Sequence, residues 1–240
     1  MRKPAHQQDM SSSRDILASR KGSFAPVIEI DRNAPGLVPM DLTAANTELT
    51  VDLLSDIDTF SDWVNGFIIR EGGKMGIGGY AEHRTIYQVS DVFDAGMGQR
   101  EPRRLHLGVD IWAPVGTPVH CPIPGRVHSL GNQDRRGDYG AVIILQHELD
   151  GVVFHTMYGH LSRASLLTEV GKEIPAGELI AHLGAPAENG HWPPHLHFQV
   201  IDDMGPWVGD YPGVCPYSDR TRWLANCPDP DLILDLQRFL

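Results

Sequence analysis

Histidine and aspartate carry most of the chemistry this chain can offer. Ten of the twelve histidines, all but His6 and His83, lie between His106 and His197. In RRLHLGVDIWAP, His106 and Asp110 are four residues apart in a β-branched, Gly-containing segment. That even spacing predicts both side chains on one face of a strand. In PPHLHFQV, His195 and His197 alternate with Leu196 and Phe198, so the two imidazoles share one face while the apolar pair packs behind them. Either pair alone suits an ordinary hydrogen-bonded surface. Two such pairs on neighbouring strands can offer imidazole and carboxylate ligands to a divalent metal. Zinc suits the set best, because three His or Asp ligands with one open position make a catalytic centre, whereas structural zinc sites are closed and thiolate-rich. Cys121, Cys215 and Cys227 form no CxxC pair.

The elements that must position these residues are short. Across 105–201, β-branched runs such as GTPVHC, GRVHSL, AVIILQH, GVVFHTMY and ELIAHLG are separated by Gly and Pro turns, which predicts a compact, mostly antiparallel β domain. Within it PVGTPVHCPIPGRV and EVGKEIPAGELIAHLG share an opening and read as two similar hairpins. Across 47–69, Leu53, Leu54, Ile57, Phe60, Val64 and Phe67 recur at helical spacing, and Gly72 and Gly73 end the pattern. KMGIGGYAEHRTIYQV then reads as a Gly-rich loop feeding a short strand. Residues 1–25 are polar and Ser-rich and predict a flexible tail. Beyond residue 201, turn-formers, Trp207, Tyr211, Trp223 and the apolar end DLILDLQRFL predict a wrap around the core. The fold class is therefore mainly β (α+β overall), divided into a tail at 1–25, a helix and loop extension at 26–104, the β core at 105–201 and a C-terminal extension at 202–240.

Composition narrows the partners. The chain has 240 residues, 20 basic and 31 acidic side chains, and a net charge of −11, which argues against nucleic acid and anionic membrane. The 25 Gly and 18 Pro argue against a helical bundle, coiled coil or helical repeat. Three cysteines make a disulfide framework unlikely in a chain long enough to bury a core without one. The first thirty residues hold no apolar signal region, and no run reaches the ~18 apolar residues of a membrane span. These features predict a cytoplasmic protein with no membrane insertion.

The ordered set HLGVDIWAPVGTPVHCPIPGRV, YGHLS, VGKEIPAGELIAHLG and PPHLHFQV resembles the lysostaphin-like zinc metallopeptidases, peptidoglycan endopeptidases marked by H-x-x-x-D, an H-L after a strand, and H-x-H. The likeness covers about 105–201. It implies a two-sheet, largely antiparallel β domain with zinc at the floor of a groove, held by His106, Asp110 and His197. It also implies that His160 and His195 form an unliganded catalytic pair, and that the substrate is a peptide or peptidoglycan-like chain. A closer likeness, carried by MGIGGYAEHR, ENGHWPPHLHFQ, GDYPGVC and WLANCPDPDLIL, is to a peptidase-like module found between phosphotransferase-like and class III aminotransferase-like domains, which implies association with such enzymes.

Departures from the secreted members matter. Asn189, Gly190, His191, Trp192, Pro193 and Pro194 stand where those carry a small Gly-Ser-Thr-Gly stretch, and Gln199 stands in place of a glutamate. His191 and Trp192 are therefore candidates for the groove wall. Tyr80 and Arg84 either line the groove or anchor their own loop. His120, His128, His147, His155 and His182 fall into strand patterns and read as structural. The expected activity is hydrolysis of a peptide or related amide by a metal-activated water, with His160 and His195 taking its proton and stabilising the oxyanion. The alternative is a catalytically idle zinc-binding module that recognises a peptide or a partner, a role that would not require both histidines. A lipoyl-type carrier is disfavoured, because Lys172 opens its turn instead of capping a hairpin.

Overall fold

A computed structural model describes residues 12–94 and 101–240; residues 1–11 of the expected tail lie outside them. Ser13–Ser19 (α1) is a helix closed at its start by a capping box between Ser12 and Asp15. It buries Ile16 and Leu17, and Ser13 Oγ donates to Asp202 Oδ1. The polar composition hid two apolar positions one residue apart, enough for a two-turn helix once a core is there to receive them.

The extension that follows contains a parallel crossover. Leu37–Met40 (β1) leads into Val51–Ser55 (α2) and Ile57–Arg70 (α3), and the chain returns as Met75–Gly78 (β2), parallel to β1. The single expected helix is thus two. Asp56 leaves helical geometry (φ −109°, ψ 121°) and accepts from Thr59 N–H, so it starts α3 as an N-cap. Leu54, Phe60, Val64 and Ile68 face the second hydrophobic cluster of the molecule, together with Trp112 and Trp192. In the Gly-rich segment the order is reversed from expectation: the strand is MGIG itself, and IYQV forms a 3-10 turn.

The β domain consists of Arg103–His106 (β3), Val109–Trp112 (β4), Pro118–His120 (β5), Gly125–Gln133 (β6), Gly140–Leu149 (β7), Val152–Leu161 (β8), Glu173–Ile174 (β9), Leu179–His182 (β10), His195–Ile201 (β11) and Val214–Pro216 (β12). One eight-stranded sheet runs β1-β2-β4-β11-β8-β7-β6-β9, and β5–β10 and β3–β12 form separate two-stranded ribbons. Apart from β1–β2 all pairings are antiparallel. The architecture is mainly β and largely antiparallel, as expected, with the strands divided into one large sheet and two ribbons.

The two segments read as similar hairpins pair with each other: β5 joins β10, and β6 joins β9. The central run of β7 is apolar without alternation because both of its faces are covered. Ala141, Ile143 and Leu145 enter one cluster, while Val142 and Ile144 enter another. The C-terminal end closes over the first of these clusters through Ile233 and Leu236, beside Leu17 of α1. Among the described residues, no helix is long and apolar enough to cross a membrane.

Candidate metal centre and cleft

His106 and Asp110 do not share a strand. β3 ends at His106, β4 begins at Val109, and the two belong to different sheets. What brings the side chains together is the turn at Gly108, where an added Cβ would sit 2.6 Å from the His197 ring. Only glycine allows that approach. His197 comes from β11, in register opposite Asp110 of β4, while Leu196, Phe198 and Val200 point into the main core.

Three atoms converge. His106 Nε2 lies 3.0 Å from His197 Nδ1 and 3.2 Å from Asp110 Oδ1, and His197 Nδ1 lies 3.0 Å from the same carboxylate oxygen. The outer partners fix both tautomers. His106 Nδ1–H donates to the Gly79 carbonyl at 3.0 Å, and His197 Nε2–H donates to Gln199 Oε1 at 2.9 Å. The two nitrogens that face each other therefore carry lone pairs, and Oδ1 adds a third. Three buried lone pairs aimed at one point repel one another unless a cation accepts them. Zinc ligands at their usual lengths stand roughly 3.3 Å apart in a tetrahedral set, so the triangle has the size and donor chemistry that zinc requires. His106, Asp110 and His197 also form the one His/Asp cluster with metal-ligand geometry among the described residues.

Electrostatics agree with a cation site. Burial lowers the His106 pKa to about 4, helped by Arg84 and opposed by Asp110. Burial pushes Asp110 up, but His106 and Arg84 outweigh it and hold the carboxyl well below its ordinary value. Arg84 Nη1 donates to Asp110 Oδ2, and Gln199 is anchored from behind, its amide N–H donating to Pro212 O and Cys227 Sγ.

His160 and His195 stand beside this triangle. Their rings are 4.1 Å apart, and both are buried. His160 Nδ1–H donates to Asn189 O and His195 Nδ1–H to Pro193 O, each at 2.7 Å, which leaves both Nε2 atoms as bases. Burial, reinforced at His160 by His195, lowers both pKa values, that of His160 well below the ordinary value. Between Tyr158 and Leu161, β8 carries one residue more than β7. His160 occupies this bulge with φ at 62°, and the bulge re-aims its side chain toward the cleft. His195 stacks on Trp112 at 5.3 Å.

The cleft above encloses about 280 Å³ and includes Asp110, His160, His195 and His197 in its lining. Trp192 lines it and meets Tyr87 edge-on at 6.3 Å. The other three groove candidates lie elsewhere. Tyr80 donates its hydroxyl to Cys227 O, Arg84 is wholly buried behind Asp110, and His191 is an exposed turn residue with φ at 62°. Neither Tyr80 nor Arg84 lines the cleft; the first meets a backbone carbonyl of the C-terminal part and the second meets Asp110 from behind. The walls missed from sequence are aromatic: Tyr87 and Phe93 from the extension, Tyr139 from the β6–β7 turn, and Trp207 and Tyr211 from the C-terminal part. Aromatic residues flanked by Gly, Pro and Asp, as in GDYG and GDYPG, were the available signal. His120, His128, His147, His155 and His182 do not line the cleft.

Part of this chain is similar to known proteins. The sequence pattern of peptidase family M23 matches residues 104–207. The DD-carboxypeptidase/endopeptidase Mpg of Neisseria meningitidis is 35% identical over 97 residues, 40% of this chain and 20% of that protein. The L-Ala–D-Glu endopeptidase of Bacillus subtilis is 28% identical over 128 residues, 50% of this chain and 36% of that protein. The solved structure of lysostaphin from Staphylococcus simulans overlaps 55% of this chain and 44% of its own, with a TM-score of 0.37 and 27% identity. The chain thus spans about a fifth to a third of the length of these two sequence relatives. The matched segment, residues 104–207, is similar to peptidase family M23 and contains all five of His106, Asp110, His160, His195 and His197.

Proposed function

We propose that this chain is a zinc-dependent hydrolase that cleaves a peptide or related amide bond, with His106, Asp110 and His197 as the zinc ligands. The observation that carries this reading is the triangle of three lone pairs beside two imidazoles whose Nε2 atoms are free. When bound there, zinc supplies Lewis acidity, acidifying a water and polarising a carbonyl.

The chain's own residues supply the rest. His160 and His195 are neutral at pH 7, since burial lowers both pKa values, so an Nε2 lone pair is ready to accept the proton of the attacking water. Once protonated, that imidazole can donate to the oxyanion or return the proton to the leaving amine. The Asn189 and Pro193 carbonyls hold the two rings and favour the Nδ1–H forms throughout. Trp192, Tyr87 and Phe93 exclude bulk water on one side of the reacting centre and narrow the entry, which suits an extended peptide better than a bulky folded chain.

The relatives named for cleaving DD and L-Ala–D-Glu bonds support a peptidoglycan-type peptide as substrate. Cytoplasmic residence is supported by three buried free thiols, and association with phosphotransferase-like or aminotransferase-like enzymes by the resemblance of MGIGGYAEHR and WLANCPDPDLIL. The test is a cleavage screen of the zinc-loaded protein against a peptide library that includes stem-peptide and cross-bridge sequences. Chelator-sensitive cleavage is expected. If the zinc-loaded chain cuts nothing, it is an idle recognition module instead.

A further inference from the structure

Two of the three donors are held by groups ahead of residue 104, outside the family-matched segment. Gly79 O accepts from His106 Nδ1, and Arg84 Nη1 lies 2.5 Å from Asp110 Oδ2. Arg84 is the largest wholly buried side chain among the described residues. Its Nε donates to Glu82 Oε2 at 2.7 Å, and Nη1 also donates to Tyr87 Oη at 3.1 Å. The guanidinium stands 5.9 Å over the Trp112 ring. A Cβ at Gly78 would approach Arg84 Nη2 to 2.7 Å and Trp112 to 2.6 Å, so the backbone leaves a fitted space for this side chain. Burying a guanidinium is costly unless every face of it is engaged. Here the engagement is divided between an acid of the metal centre and an acid of the extension.

We propose that Arg84 is a positioning residue for the metal centre, one that makes Asp110 a one-oxygen ligand. This rests on the zinc reading above. A carboxylate left free can turn both oxygens toward a metal and raise its coordination number, as oxygen-rich sites for larger cations do. The planar fork of Arg84 holds Oδ2, so Oδ1 alone faces His106 and His197 and the site keeps three donors with one position open. A lysine retains the charge but not the fork, and cannot hold Asp110, Glu82 and Tyr87 together. The extension therefore belongs to the metal centre as its outer layer: its Gly79 carbonyl sets the tautomer of one ligand, and its Arg84 sets the denticity of another.

The full chain is compared with Arg84→Met and Arg84→Lys by chelator competition for zinc and by the visible spectrum of the cobalt(II)-substituted protein. Arg84→Met is expected to bind zinc ~10- to 100-fold more weakly, the usual effect of losing an outer partner of a ligand. Its cobalt band is expected to weaken as coordination rises above four. Arg84→Lys is expected to recover part of the affinity but not the parent spectrum, and it decides the matter if Arg84→Met does not fold. Zinc affinity and a cobalt spectrum unchanged in a folded variant overturn the proposal while leaving the hydrolase reading intact. A parent chain that binds no zinc overturns both.

Discussion

Nε2 of His197 lies 2.9 Å from Oε1 of Gln199, two residues further along the same strand. The amide is not free to turn, because its N–H groups donate to Pro212 O at 3.2 Å and to Cys227 Sγ at 3.3 Å. Gln199 therefore presents an acceptor to His197 and directs the Nδ1 lone pair at Asp110 and His106.

Replacement of that amide separates its two roles. Gln199→Leu should weaken zinc binding ~10- to 100-fold. Gln199→Glu should keep most of the zinc affinity, but lower stability by about 1–3 kcal/mol, because Pro212 O loses its donor. Chelator competition and thermal unfolding of the two variants measure these effects.

The triangle itself gives a sharper expectation. With His197→Ala or His106→Ala, two lone pairs remain where three converged, and the purified chain should carry well under one zinc. Metal analysis of the dialysed variants checks this, and full occupancy in either variant would rule that residue out as a ligand.

The imidazole pair should behave differently. His160→Ala and His195→Ala should keep zinc, since neither ring belongs to the triangle, yet lose ~10²- to 10⁴-fold in turnover on any substrate the parent cuts. Parallel metal analysis and rate measurement test the separation. Parent-level turnover in His160→Ala would remove it from the mechanism.

His147 gives a pH dependence that is independent of the metal. Burial lowers its pKa to about 4, and its Nε2 meets Thr156 Oγ1 at 2.7 Å while Nδ1 meets Pro124 O at 3.1 Å. In the unfolded chain this histidine binds a proton near pH 6.5, whereas in the folded chain it does so only near pH 4. Its contribution is therefore complete above pH 6.5 and lost as pH falls from 6.5 to 4, by about 3 kcal/mol in total. Denaturant unfolding of the parent and of His147→Gln across that window should show a shallower slope for the variant.

The sequence carried the site further than it carried the reasons for it. His195 and His197 were legible because β11 keeps a strict two-residue period, with Leu196 and Phe198 buried on the opposite face. His106 and Asp110 were paired by their spacing, yet their meeting depends on a turn at Gly108 between two sheets, which strand periodicity does not describe. Arg84 was legible only as a residue of a Gly-rich loop that either lines the groove or anchors the loop. Its burial depends on Asp110, 26 positions away, and on Glu82 and Tyr87, and no local pattern announces such a cage. The α1 helix was hidden for the same reason: Leu17 acquires meaning only against Ile233 and Leu236.

The pairing of β4 with β11 has a consequence for how the molecule is assembled. β6, β7 and β8 follow one another along the chain and pair as a meander, so their contacts close short loops. The triangle joins His106 to His197 across 91 positions, and non-local pairing of that kind bears a larger loop-closure cost. The meander should order first and the cation-binding corner last. Zinc added during refolding should then leave the early phase unchanged and favour only the final product, by mass action. Stopped-flow refolding with and without zinc distinguishes this order from one in which the metal nucleates the fold.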